Sequence, residues 1–193
     1  LFFVTLLGAL PIGLIISFGS MSKFKPLSAF TKVVVWIIRG TPLMLQLLLV
    51  FFGPYYIFGI STGKISIGPL DYRFIATVIG FSLNYAAYFA EIFRGGIQSM
   101  PKGQYEAAQV LGFSKMQTYF RIILPQVIQR IIPPVTNETI TLVKDTSLSF
   151  VLSVAEMFTI AKQIGASEAS IMPLMVAGLF YFVFNYAVAF LME

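Results

Sequence analysis

Cysteine and histidine are both absent from the 193 residues. Their absence removes disulfides, thiol chemistry and the usual zinc ligands, and it leaves the redox compartment unreadable. Charge is scarce as well, at 11% of the chain, where ordinary soluble domains carry about 25%. No basic run with interleaved aromatics occurs, so the net charge of +5 does not point to nucleic acid. A nucleotide loop is missing too. Gly59-Ile60-Ser61-Thr62-Gly63-Lys64-Ile65 is one spacer short of the phosphate-binding pattern, and Ile65 stands where Ser or Thr would meet the metal.

What the chain does have is apolar length. It is 58% hydrophobic, with 20 Phe and 9 Tyr, and its mean hydropathy is +0.86. These values define an integral membrane protein, all-α by the length of its runs, with aromatics facing lipid or interfaces. Leu1 is not Met and the apolar pattern starts at once, so the natural start is expected upstream, with a leader there left open.

Five spans are expected, at about 2–20, 33–58, 73–97, 126–155 and 171–191, in one domain covering 1–193. Met21 to Lys32 holds Lys23, Lys25 and Lys32 without an acid, which places this stretch on the cytoplasmic side. Span two is interrupted at Arg39-Gly40-Thr41-Pro42, where Thr41 is suited to N-cap a fresh helix and Pro42 to open it. Residues 59–71 and 156–170 read as outside loops, and the end at Glu193 falls inside. Pro133-Pro134 is expected to bend span four.

Residues 101–125 form one long amphipathic island. Gln104 to Leu111 are good helix formers, and Gly112 is placed for a left-handed C-terminal cap. Ser114 and Gln117 then have the spacing of a capping box, with Met116, Tyr119, Phe120 and Ile123 at helical intervals on one face. Pro125 ends this helix or opens the next. Two short helices joined at a glycine make a knob suited to a docking partner. The same pattern also suits a linker lying on lipid headgroups.

Polar residues within the spans form two stripes. Asn137, Thr141 and Asp145 lie at i, i+4 and i+8, with Glu138 beside them, and Asn84, Tyr88 and Glu91 share a face of span three. Ionisable groups in a membrane mark solute pathways, although interhelical hydrogen bonding, a local Lys144–Asp145 pair and a Glu91–Arg94 pair are the structural alternatives.

Glu106-Ala107-Ala108, then Gly112, then Ile123-Leu124-Pro125 resembles the EAA loop of membrane subunits of bacterial ATP-binding-cassette importers, in the polar amino acid uptake branch. Arg39-Gly40-Thr41-Pro42-Leu43, Ala90-Glu91-Ile92-Phe93-Arg94-Gly95-Gly96-Ile97, Gly103-Gln104, Pro125-Gln126 and Lys144-Asp145-Thr146-Ser147-Leu148 resemble that branch in the same order. The resemblance implies a type I importer permease fold in the bacterial plasma membrane, moving polar amino acids. It implies two such permease subunits, identical or paralogous, two ATPase subunits that alone hold ATP and magnesium, and an extracellular or periplasmic solute-binding protein. It further implies that this chain has no cofactor or catalytic residue of its own. Glu106, Ala107, Ala108, Gly112, Leu124 and Pro125 then belong to the ATPase-coupling knob, and Arg39 to Pro42 to the cytoplasmic end of the pathway. An ion-coupled secondary transporter using Glu91, Glu138 and Asp145 is the main alternative; a membrane scaffold is the third reading.

Overall fold

The computed structural model describes residues 1–60, 66–67 and 70–192. Ser61 to Ile65, most of the phosphate-loop-like stretch, and Glu193, with its expected inside position, lie outside the described residues.

Helix α1 (Phe2–Ser20) buries Thr5, Ala9, Gly13, Ser17 and Ser20, a row of small residues recurring at helical spacing. Small side chains let backbones approach closely where lipid supplies no hydrophobic drive between helices. The row faces α4 (Tyr72–Gln98), the longest helix. At Gly13 a β-carbon would lie 2.9 Å from the Ala86 carbonyl oxygen and 2.9 Å from Phe89 Cβ, so the close approach depends on glycine.

Between them, α2 (Lys25–Gly40) and α3 (Leu43–Phe58) meet at a bend of 109°. Residues 33–58 are therefore not one rod, and most of the expected Met21–Lys32 connection is helix. Pro26 in the first turn favours that start. Pro42, rather than Thr41, stands at the N-cap of α3, and Thr41 ends α2 in extended conformation. This follows from proline's effect on its predecessor: the residue before proline is driven out of the helical region.

A two-stranded antiparallel ribbon, β1 (Ser66–Ile67) with β2 (Leu70–Asp71), leads into α4. The Tyr72 hydroxyl donates to the Val50 carbonyl at 3.0 Å, tying the head of α4 to α3. The knob follows as α5 (Lys102–Val110) and α6 (Lys115–Gln117). From α6 the chain stays helical through a π-turn, Thr118–Ile123, into α7 (Leu124–Asp145), which continues through Pro133 and Pro134. The wider turn places Thr118 and Ile123, five residues apart, on the buried side and leaves Met116 and Phe120 exposed. That replaces the expected stripe of Met116, Tyr119, Phe120 and Ile123, because five-residue spacing breaks the 3.6-residue register.

A 3-10 turn, Thr146–Leu152, extends α7, and α8 (Met157–Ser167) occupies most of the expected loop 156–170. Glu156 caps α8, its carboxylate accepting from the Phe158 N–H at 3.0 Å. Last comes α9 (Met172–Met192). The main core joins Ala9 of α1, Leu47 of α3, Phe81, Tyr85 and Phe89 of α4 and Leu142 of α7. Helix α4 is thus the hub. Among the described residues three single helices, α1, α4 and α9, are long and apolar enough to cross a membrane, or up to five spans if each bent pair counts once.

Candidate functional site

The elbow between α2 and α3 is hydrogen-bonded to α4 by a side chain that the sequence reading did not single out, Gln46. Gln46 Nε2 donates to the Ile38 carbonyl at 2.7 Å, the Thr41 carbonyl at 3.0 Å and Thr41 Oγ1 at 2.8 Å. Its Oε1 accepts from Asn84 Nδ2 at 3.0 Å. Carbonyls freed at the end of α2 are thus met across the bend rather than left bare. Gln46 is the sole polar side chain from Leu43 to Phe52, and an amide in such a run is the signal that would have found it.

Asn84 is buried and turned toward Gln46. Tyr88, one turn on, carries the Arg39 guanidinium 5.0 Å from its ring centroid, within the range of a cation–π contact. Arg39, Gly40, Thr41 and Pro42 are all exposed. Glu91, expected on the same face, is held by Arg94: Nε donates to Oε1 at 3.2 Å and Nη2 to Oε2. Arg94 also donates to Gln98 Oε1 at 2.8 Å. The i, i+3 pair weighed for Glu91 therefore forms.

On α7, Asn137 is exposed while Glu138, Thr141 and Asp145 are half-buried. Thr141 Oγ1 donates to its own helix at the Asn137 carbonyl, 2.9 Å. Asp145 accepts from the Tyr85 hydroxyl at 2.7 Å. Lys144 points away, exposed, and the local Lys144–Asp145 pair does not form. Asp145 of the α7 stripe is thus linked to α4 through Tyr85, a residue outside both expected stripes. A second unforeseen link is Tyr181 of α9, whose hydroxyl donates to Glu156 Oε1 at 2.6 Å. Twenty-five residues separate that pair, and no local pattern announces it.

In the knob, Gly112 adopts φ +79°, and the Phe113 N–H returns to the Ala108 carbonyl at 3.0 Å, closing α5. The capping box also forms: Gln117 N–H to Ser114 Oγ at 3.3 Å and Ser114 N–H to Gln117 Oε1 at 2.9 Å. Ala108 is buried against the chain itself, whereas Glu106, Ala107, Val110 and Leu111 are exposed. Leu124 is half-buried and Pro125 exposed. Met100, Ile123 and Val127 form a separate core beneath the knob, flanked by Tyr105 and Tyr119. Arg130 Nη1 donates to the Ser99 carbonyl at 2.9 Å, bracing the end of α4 on α7. The knob is thus seated on the ends of the two central helices. Among the described residues no group of His, Cys, Asp and Glu is arranged to hold a metal.

Residues 9–193 match the family described as binding-protein-dependent transport system inner membrane component. The chain is 44% identical over 155 residues to the L-cystine transport system permease protein TcyB of Bacillus subtilis (strain 168), covering 80% of this chain and 62% of that one. It is 36% identical over 173 residues to the arginine transport system permease protein ArtQ of the same organism, covering 89% and 75%. A crystal structure of an amino acid ABC transporter with histidines superposes with a TM-score of 0.85 at 32% identity, covering 99% of this chain and 85% of that one. An inward-facing MetNI methionine ABC transporter shares the fold, with a TM-score of 0.71 at 18% identity and the same shares covered.

Proposed function

This chain belongs to the family of binding-protein-dependent transport system inner membrane components, and on that premise we propose that it is the permease subunit of a bacterial ABC importer for polar amino acids. The observation that carries the mechanism is the knob. A positive-φ glycine folds α5 back so that Glu106, Ala107, Val110 and Leu111 project together from a base braced on α4 and α7. Such a projection meets a cleft on an ATPase subunit, with Glu106 facing a basic group there. Because its base is continuous with the two helices that bear the polar stripes, movement of the knob moves the pathway as a rigid body.

Five crossings follow if α1, α3, α4, α7 with its 3-10 extension, and α9 each span, while α2 lies along the cytoplasmic face. The 109° bend and the three cations of α2 support that division. Residues 1–193 then form a single domain. Two permease subunits, two ATPases holding ATP and magnesium, and an external binding protein complete the machine. Tyr88, Asn137, Glu138, Thr141 and Asp145 line the path, with Glu91 at its cytoplasmic end and Asn84 acting on the Arg39–Pro42 gate through Gln46. Carboxylates and amides there receive the ammonium and polar atoms of an amino acid as water is left behind.

The test is uptake of a panel of labelled amino acids into vesicles holding this subunit, its co-purifying ATPase and its binding protein. ATP-dependent accumulation of polar amino acids is the expected result. Accumulation driven by an ion gradient without ATP would overturn the reading.

A further inference from the structure

Helix α2 presents three distinct faces, of which only one is covered. Ser28 and Val35 are buried: the Ser28 hydroxyl donates to the Ser20 carbonyl at 2.7 Å, and Val35 packs with Ala87 and Ala90 of α4. Lys25 and Lys32, seven residues and so two turns apart, form an exposed basic line, with Lys23 just before it. Phe30, Val33 and Ile37 make an exposed apolar flank. Trp36 lies between the last two faces and is 77% exposed. No carboxylate occurs anywhere from Leu1 to Leu70, so nothing within this first third of the chain offsets the cations.

We propose that α2 is an interfacial helix whose Lys25–Lys32 line binds the headgroups of anionic phospholipids, with Phe30, Val33, Trp36 and Ile37 seated in the adjoining acyl boundary. Charge complementarity and the apolar flank select this occupant: an amphipathic helix with lysines beside aromatic and aliphatic side chains is built for a charged bilayer surface. Lys25, Lys32 and Arg39 within sixteen residues make α2 costly to bury in hydrocarbon, and the bend turns it away from the uncharged α3. The placement of α2 at the cytoplasmic face rests on the permease reading. The consequence is regulatory: the α2–α3 elbow carries Arg39 and Thr41, so lipid held by α2 acts on the gate through the same helix.

Trp36 is the only tryptophan of the chain and so serves as a built-in probe. The complete complex would be reconstituted in bilayers of phosphatidylcholine and phosphatidylglycerol, with bromine on the acyl chains of one lipid or the other. Trp36 emission is obtained by difference against a Trp36→Phe complex. The expected result is stronger quenching by brominated phosphatidylglycerol at equal bulk fraction. The preference should fall about fivefold for each of Lys25→Gln and Lys32→Gln, and weaken at high ionic strength. Equal quenching by the two lipids would overturn the proposal. So would quenching by neither lipid in the complex, restored when the ATPase is removed, since a protein would then cover the face. Lost uptake with the lipid preference intact would count against the transport reading alone.

Discussion

The Asn84 amide donates to Gln46 Oε1 at 3.0 Å, a polar bond that ties the bent α2–α3 elbow to the central helix α4. Gln46 spends its donors on Ile38 and Thr41, at the end of α2, so the two residues act as one latch.

Breaking the latch has a defined signature. Asn84→Leu and Gln46→Leu each leave a polar partner unsatisfied, at a cost of about 1–3 kcal/mol, and both should lower uptake. The double variant should cost less than the sum, because the shared bond is lost only once. Thermal unfolding of the four proteins in detergent measures this; strictly additive losses would dissolve the latch.

Asp145 depends on Tyr85 for its hydrogen bond. Tyr85→Phe removes only the hydroxyl and keeps the ring packed in the core, so expression should be normal. Loss of a bond to a carboxyl group, worth about 1.5–3 kcal/mol, should reduce uptake roughly tenfold or more. Parent-like uptake kinetics in this variant would show that Asp145 needs no partner.

Gly112 sits at φ +79° in open space, so a side chain there meets strain rather than a clash. Gly112→Val should cost on the order of 1–2 kcal/mol and misdirect the knob. Reduced ATPase recovery on affinity purification of the variant is expected, with the membrane-inserted yield preserved. Recovery equal to the parent would mean that the knob tolerates a different closure.

Glu106 is exposed and has no partner among the described residues. Glu106→Lys should therefore leave the fold intact while reversing the charge offered to the ATPase, and ATP-dependent uptake should disappear. Normal uptake would remove Glu106 from the coupling surface.

On α7, Asn137 is exposed, and its side chain makes no hydrogen bond among the described residues. Asn137→Leu should weaken the substrate stimulation of ATP hydrolysis without altering recovery of the ATPase. Unchanged stimulation would give α7's polar stripe a packing role instead.

Local chemistry made much of the molecule legible in advance. Helices α1, α4 and α9 begin and end within about two residues of the apolar runs read from the sequence, since apolar length is displayed directly by composition. The Ser114–Gln117 box and the Gly112 cap are equally local, each needing only neighbours three to five residues away. Less visible were α2 and α8, where lysines within the helices and the glutamates flanking α8 masked helices whose buried faces are narrow. The π-turn was hidden because one extra residue per turn leaves no mark on amino-acid type.

By itself the sequence determined an apolar, helical membrane protein, a two-helix island turned at Gly112, and which polar residues fall within its apolar runs. Only the tertiary structure decided how those residues pair. Asn84 meets Gln46 rather than an open cavity, Glu91 meets Arg94, and Asp145 meets Tyr85 sixty residues away instead of the adjacent Lys144. The reason is geometric: a helix fixes which residues share a face, whereas partners come from the angle at which helices cross. Here that angle is set by a 109° bend and by the close seating of α1 on α4, neither of which a one-dimensional pattern encodes.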